Sequence, residues 1–229
     1  MTNIRKKSLV LIMVAGIFVL STTQTLFAQD RAKTEKLVQD AQRVFENFKA
    51  DPDMTWFRSN VKNAKGVFIV PSLVKAGFVW GGSGGSGVFL GHDEKTDKWS
   101  YPAFYTMGSG SFGFQAGVEK AEIILMVMTQ RGVESMVSSS FKLGGDVSVA
   151  AGPVGAGAKV QTADIIAFSR TKGLFGGIAI EGAVIKIRDK WNSAYYGKPV
   201  SPAGIFIRND VANPQADGLR EVVSKTTGS

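Results

Sequence analysis

The 229-residue chain has no cysteine and a single histidine, His92. The missing thiols exclude disulfides, thiol catalysis, zinc knuckles and thiolate-held clusters, and any histidine-dependent mechanism rests on one residue. No apolar run is long enough to cross a membrane as a helix. The longest, from Leu9 to Leu20, spans only about 18 Å as a helix, against a hydrocarbon core of ~30 Å. Linker-like stretches that would divide the chain are also lacking, and the length and the 44% apolar content predict one globular domain. Glycine is the excess: 27 residues, nearly twice the usual share of about 7%.

Arg5, Lys6 and Lys7 precede the apolar run, and Leu26-Phe27-Ala28 closes it before the polar Gln29-Asp30. That order predicts a secretory signal peptide over residues 1–28 and a mature domain over 29–229, periplasmic or secreted. The leader carries three basic residues and no acidic ones, so the formal charge of +8 falls to +5 in the mature part. For an exported protein this surplus favours lipid headgroups or polyanionic envelope polymers over nucleic acid, unless it serves solubility alone.

From Ala32 to Ala50 the residues Leu37, Val38, Ala41, Val44, Phe45 and Phe48 share one helical face, an arc of about 120°. Asp51-Pro52 ends that helix and starts a short second one carrying Met54, Trp56, Phe57 and Val61. Lys33, Lys36 and Arg43 flank the apolar face, with Arg58 and Lys62 close behind. Such a surface either packs on a core or lies in a bilayer interface, and the residues leave both readings open.

Beyond Lys65 short Val/Ile/Phe-rich runs punctuated by glycine predict strands: 66–70, 87–90 and 99–105 about the polar turn 92–97, then 111–118, 121–128, 146–150, 164–169 and 174–181. The run 121–128 is apolar enough for burial on both faces. Helical spacing returns at 187–196 and 213–224. Glycine inside so many strands predicts a sharply bent sheet, so the expected fold is α+β: one domain, with a Gly-rich, barrel-like antiparallel sheet between N- and C-terminal helices.

Motifs for catalysis or cofactors are weak. Gly82–Gly87 and Gly108–Gly113 fit G-x-G-x-x-G, but strands rather than helices follow, so no cofactor is expected. Ser83 sits in a G-x-S-x-G match whose only available base is His92, nine residues on in a polar turn; a hydrolase is the least favoured reading. Asp93, Glu94 and Asp97 lack the glycine and terminal glutamate of a calcium loop, and nothing brings Asp146 and Asp164 together. No enzyme and no metal site are expected.

The segments Lys65–Pro71, Lys75–Phe78, Pro102–Tyr105, Ser111–Gly117 and Ser169–Gly177, closed by Tyr196-Gly197, follow one another in an order that resembles the SYLF domain family. The resemblance spans about Ala32 to Ile207. It implies a non-enzymatic domain that binds anionic phospholipids, phosphoinositides in eukaryotic members, partly through an N-terminal amphipathic helix; some eukaryotic members also bind actin filaments. Carried onto this sequence, the implied lipid contacts are Lys33, Lys36, Arg43, Phe45, Phe48, Trp56, Phe57, Arg58 and Lys62. The leader, and the lack of an SH3 or FYVE domain in these residues, depart from the eukaryotic pattern and make phosphatidylglycerol or cardiolipin the natural ligand. The alternative is an envelope structural or protein-interaction module.

Intact-mass measurement of the exported protein is expected to give a chain beginning near Gln29. Retention of Met1 in the envelope fraction would refute the leader reading.

Overall fold

The computed structural model describes residues 27–77, 80–112, 117–154, 162–171, 174–176 and 180–227. The leader, apart from its last two residues, lies outside them. Helix α1 (residues 27–50) is followed by a 3-10 turn at Pro52–Met54, helix α2 (Thr55–Asn60) and a second 3-10 turn at Val61–Asn63. As the sequence predicts, the Asp51 carboxylate accepts from the Asp53 amide and Pro52 opens the turn, where its missing N–H costs nothing.

Ten strands follow: β1 (Gly66–Gly77), β2 (Trp80–Asp93), β3 (Lys98–Trp99), β4 (Ala103–Phe112), β5 (Gly117–Val127), β6 (Ser140–Lys142), β7 (Val149–Ala151), β8 (Ile165–Thr171), β9 (Leu174–Gly176) and β10 (Val184–Ile187). Helices α3 (Gln130–Val137), α4 (Asp189–Tyr196), α5 (Pro202–Phe206) and α6 (Asp217–Thr227) complete the chain. The strand order is β6-β10-β4-β2-β1-β5-β8-β7, with β3 beside β2 and β9 beside β8. Chain connectivity forces this sheet to curl. β6 and β7 stand at opposite ends of the order, yet only residues 143–148 join them. That link reaches about 24 Å at most, whereas eight flat strands would place the two ends ~34 Å apart. The result is a half-barrel, with the isolated Leu143–Val147 bridge inside the link.

Alternation along the strands sends side chains to two cores. Val67, Ile69, Val88, Leu90, Phe104, Ile124 and Met126 face outward beneath α1, α2 and α6. Phe68, Val70, Phe89, Tyr105, Ile123, Leu125, Val127 and Ile185 fill the barrel interior with residues of α3 and α5. The 121–127 part of β5 is therefore packed on both faces, as its apolar run predicts. Inside, the Tyr105 hydroxyl donates to the Met136 carbonyl at 2.5 Å, and burial pushes the phenol well above its usual pKa.

The bent, Gly-rich α+β sheet is present, with corrections in detail. β7 pairs in parallel with β8, so the sheet is mixed: the chain crosses from one edge to the other and enters beside β8 in its own direction. β1 does not stop at Pro71; a bulge between Val70 and Leu73 takes up the missing N–H and the strand runs on. The glycine-serine run 81–87, too poor in side chains to read as a strand, lies inside β2. In the predicted strand 111–118, residues 113–116 lie outside the described residues and Gly117 opens β5 opposite Gly77. Close approach is visible instead beside the β1 bulge: a Cβ at Gly85 would stand 2.6 Å from the Ser72 carbonyl, and one at Gly87 would stand 2.5 Å from the Ile69 carbonyl and 2.7 Å from the Phe68 ring. Gly84 and Gly110 have nothing within 4 Å of the added atom.

Gly87→Ala is therefore expected to destabilise by about 1–3 kcal/mol, and Gly84→Ala to change stability by no more than about 0.5 kcal/mol. Equal urea midpoints for the two variants would contradict the close-approach account.

Candidate functional site

The sequence places its candidate residues on α1 and α2, and the structure separates them into three groups. Phe45, Phe48 and Phe57 are fully buried. The Phe57 ring meets Phe45 edge-on at 5.4 Å, Phe48 at 6.3 Å and Phe168 of β8 at 5.4 Å. Trp56 is half-buried and stacks on Phe168 at 6.0 Å. The apolar face of α1 is thus the lid of the outer core. For these rings to enter a bilayer, α1 would first have to leave the sheet.

A second group is charged and already engaged within the helices. Lys33 lies 3.8 Å from Asp30, while Lys36 and Arg43 each reach Asp40 at 2.9 Å, one turn away on the same helix. These pairs are exposed, so each contributes only a few tenths of a kcal/mol, about what i,i+4 pairs give. Arg58 is a structural residue. Its guanidinium donates to the Lys49 carbonyl at 3.1 Å and to the Asp51 carbonyl, and to Thr55 Oγ1 at 3.0 Å. It satisfies orphan carbonyls where α1 ends and ties that end to α2.

Lys62 forms the third group. It is exposed and has no ion-pair partner among the described residues, a property it shares with Lys120, Lys142, Lys186 and Lys190 on the sheet and α4. Lys186 escapes the sequence reading because that reading has no strand at 184–187, where Val184-Ile185-Lys186-Ile187 alternates with the period of a half-buried strand.

The residues considered for chemistry are kept apart. Ser83 and His92 lie nine residues apart on β2, about 30 Å along an extended strand. Ser83 Oγ is 2.8 Å from Ser109 Oγ, and His92 stacks on Trp99 at 4.6 Å with its Nε2 2.9 Å from Asp97. Gly82–Gly87 lies within β2 and opens no helix. At the hairpin tip the Asp93 carboxylate accepts from the Lys95 amide and Thr96 Oγ1, while Glu94 pairs with Lys65. Asp146 accepts from the Lys142 amide, and Asp164 accepts from Thr129 Oγ1, Ser148 N and Ser148 Oγ, bonds that hold its pKa below the usual carboxylate value. Among the described residues no cluster of His, Asp or Glu fits a metal ion.

Residues 108–226 match the family model described as Ysc84, Las17-binding protein actin regulator. The chain is 36% identical over 171 residues to LAS seventeen-binding protein 3 of Saccharomyces cerevisiae, an alignment covering 71% of this chain and 37% of the relative. It is 32% identical over 171 residues to Protein YSC84 of the same yeast, covering 71% and 36%. Against SH3 domain-containing YSC84-like protein 1 of Bos taurus it is 30% identical over 174 residues, covering 73% and 50%. The chain therefore spans between about a third and a half of the length of these relatives, whose names describe binding and domain content, not an enzymatic activity.

Phe48→Ser is expected to lower stability by about 3–5 kcal/mol. Lys36→Glu is expected to cost at most about 1 kcal/mol, because it only exchanges an exposed helix pair for a repulsion of similar size. Urea unfolding followed by tryptophan fluorescence separates the two; a Phe48→Ser protein as stable as the parent would show that α1 does not pack as described.

Proposed function

The chain belongs to the Ysc84 (SYLF) family, and from that premise we propose that it is a non-enzymatic module that binds anionic phospholipids peripherally at an envelope membrane surface. The observation carrying this reading is a group of exposed lysines with no ion-pair partner among the described residues, including Lys62, Lys120, Lys142, Lys186 and Lys190, on a body whose interior is packed with side chains. Binding then takes place on the surface. Unpaired lysine heads need no internal bond broken to meet a phosphate, and each contributes about 1 kcal/mol near an anionic membrane. Lys33, Lys36 and Arg43 belong to the same reading as secondary contacts, since Asp30 and Asp40 already neutralise part of their charge. Phosphatidylglycerol and cardiolipin are the ligands that suit an exported protein with this surface.

The relatives' names favour a second reading, contact with a protein partner: one of them is called a LAS seventeen-binding protein. The two readings differ in what charge does. In the lipid reading the protein co-sediments with phosphatidylglycerol vesicles at low salt, is released at about 1 M salt, where the Debye length is ~3 Å, and ignores phosphatidylcholine. Absence of sedimentation with phosphatidylglycerol at low salt would leave the protein-interaction reading.

A further inference from the structure

The outer core ends partway up the sheet. Beyond it, β4, β2, β1 and β5 continue as an extension that no helix of the described residues covers. Register and alternation place one row of residues across its outer face: Lys142, Val184, Gly108, Gly84, Val74 and Lys120, each cross-strand neighbour to the next. Phe104, Val88 and Ile124, members of the outer core, lie an even number of residues from Gly108, Gly84 and Lys120 on their strands and so fix the face. A parallel row nearer the tip reads Gly110, Gly82, Ala76, Val118. Lys186 stands beside Thr106 on the core side.

Three properties of this face go together. Its centre is bare backbone, since a Cβ at Gly84 or Gly110 would meet nothing within 4 Å. Its apolar side chains are open to solvent, Val118 at 72% and Val184 at 43% of their full exposure. Its margins are cationic: Lys120, Lys142 and Lys186 are exposed and have no ion-pair partner among the described residues, while Glu122 on the same face is held by Arg170. Glu119 belongs to the opposite face with Lys75. Six strands set the two end lysines about 24 Å apart along the sheet. On the convex side of a curled sheet, side chains at the crest would lift the shoulders away from any flat partner. A crest of glycines removes that obstacle, and Val184 and Val74 stand in the row between the two end lysines.

We propose that this glycine-crested, lysine-flanked outer sheet face, and not the apolar face of α1, is the surface that meets an anionic bilayer. The assignment rests on the lipid-binding reading above and gives it a place. Lys120, Lys142 and Lys186 bind headgroup phosphates, Val118 and Val184 enter the headgroup layer, and the bare backbone permits close approach over the whole width. A second copy of the chain does not suit the face, because it would set lysines against lysines.

The lack of cysteine supplies the test. Gly110→Cys and, on the far side of the molecule in α3, Glu134→Cys each introduce a unique thiol for an environment-sensitive fluorophore, and circular dichroism establishes that both variants fold. With phosphatidylglycerol vesicles the label at position 110 is expected to shift to the blue and the label at 134 to stay unchanged. Lys120→Gln, Lys142→Gln and Lys186→Gln together are expected to weaken vesicle partitioning about a hundredfold at low salt, at roughly 1 kcal/mol per lysine. Lys33→Gln, Lys36→Gln and Arg43→Gln together are expected to weaken it less than tenfold. Unmodified protein that sediments with these vesicles while label 110 stays silent, or while the sheet triple variant binds undiminished, would overturn the assignment and leave the lipid reading standing. Unmodified protein that does not sediment would overturn both.

Discussion

A sheet with apolar side chains on both faces has to be covered twice, and that requirement organises this molecule. The inner face covers itself by curling, which the short β6–β7 link enforces. The outer face has no such recourse and depends on α1, whose Phe45 and Phe48 reach Phe57 and, through it, Phe168 of β8. Burying a phenylalanine contributes about 1.5–3 kcal/mol, so these contacts hold α1 down more firmly than the exposed pairs along its outer surface. An amphipathic helix used in this way has its apolar face committed to the sheet.

Much of this was legible in the residues, because periodicity reports burial. The stripe from Leu37 to Phe48 predicts a helix, the uninterrupted run in β5 predicts burial on both faces, and Asp51-Pro52 marks the corner where α1 ends. What periodicity does not report is which partner buries a face. The same stripe suits a lipid interface and a sheet, and only the three-dimensional neighbours of Phe48 decide between them.

The glycines show the converse. Within 81–87 of β2 they carry no side chain and so no alternation, which is why the sequence assigns no strand there. Their roles divide by position. Gly85 and Gly87 are demanded by the β1 bulge, which presses carbonyls and the Phe68 ring against them. Gly84 and Gly110 answer to no internal neighbour and leave the outer surface there as bare backbone. Arg58 was likewise misleading from sequence: a cation beside aromatics, whose donors are taken by backbone carbonyls.

The outer core is closed at both ends of the chain. Gln215 Nε2 donates to the Glu35 carbonyl at 3.1 Å, Tyr101 donates to Asp217 at 3.0 Å, and Gly218 lies against the side-chain amide of Gln42. Ala216, Leu219 and Val223 share the cluster with Val38 and Ala41. α1 is synthesised well before these partners, so Val38 and Ala41 lack part of their cover until Ala216, Leu219 and Val223 have emerged. Its seat is completed across the whole length of the sheet, and any factor that shields nascent apolar surface has that interval in which to act.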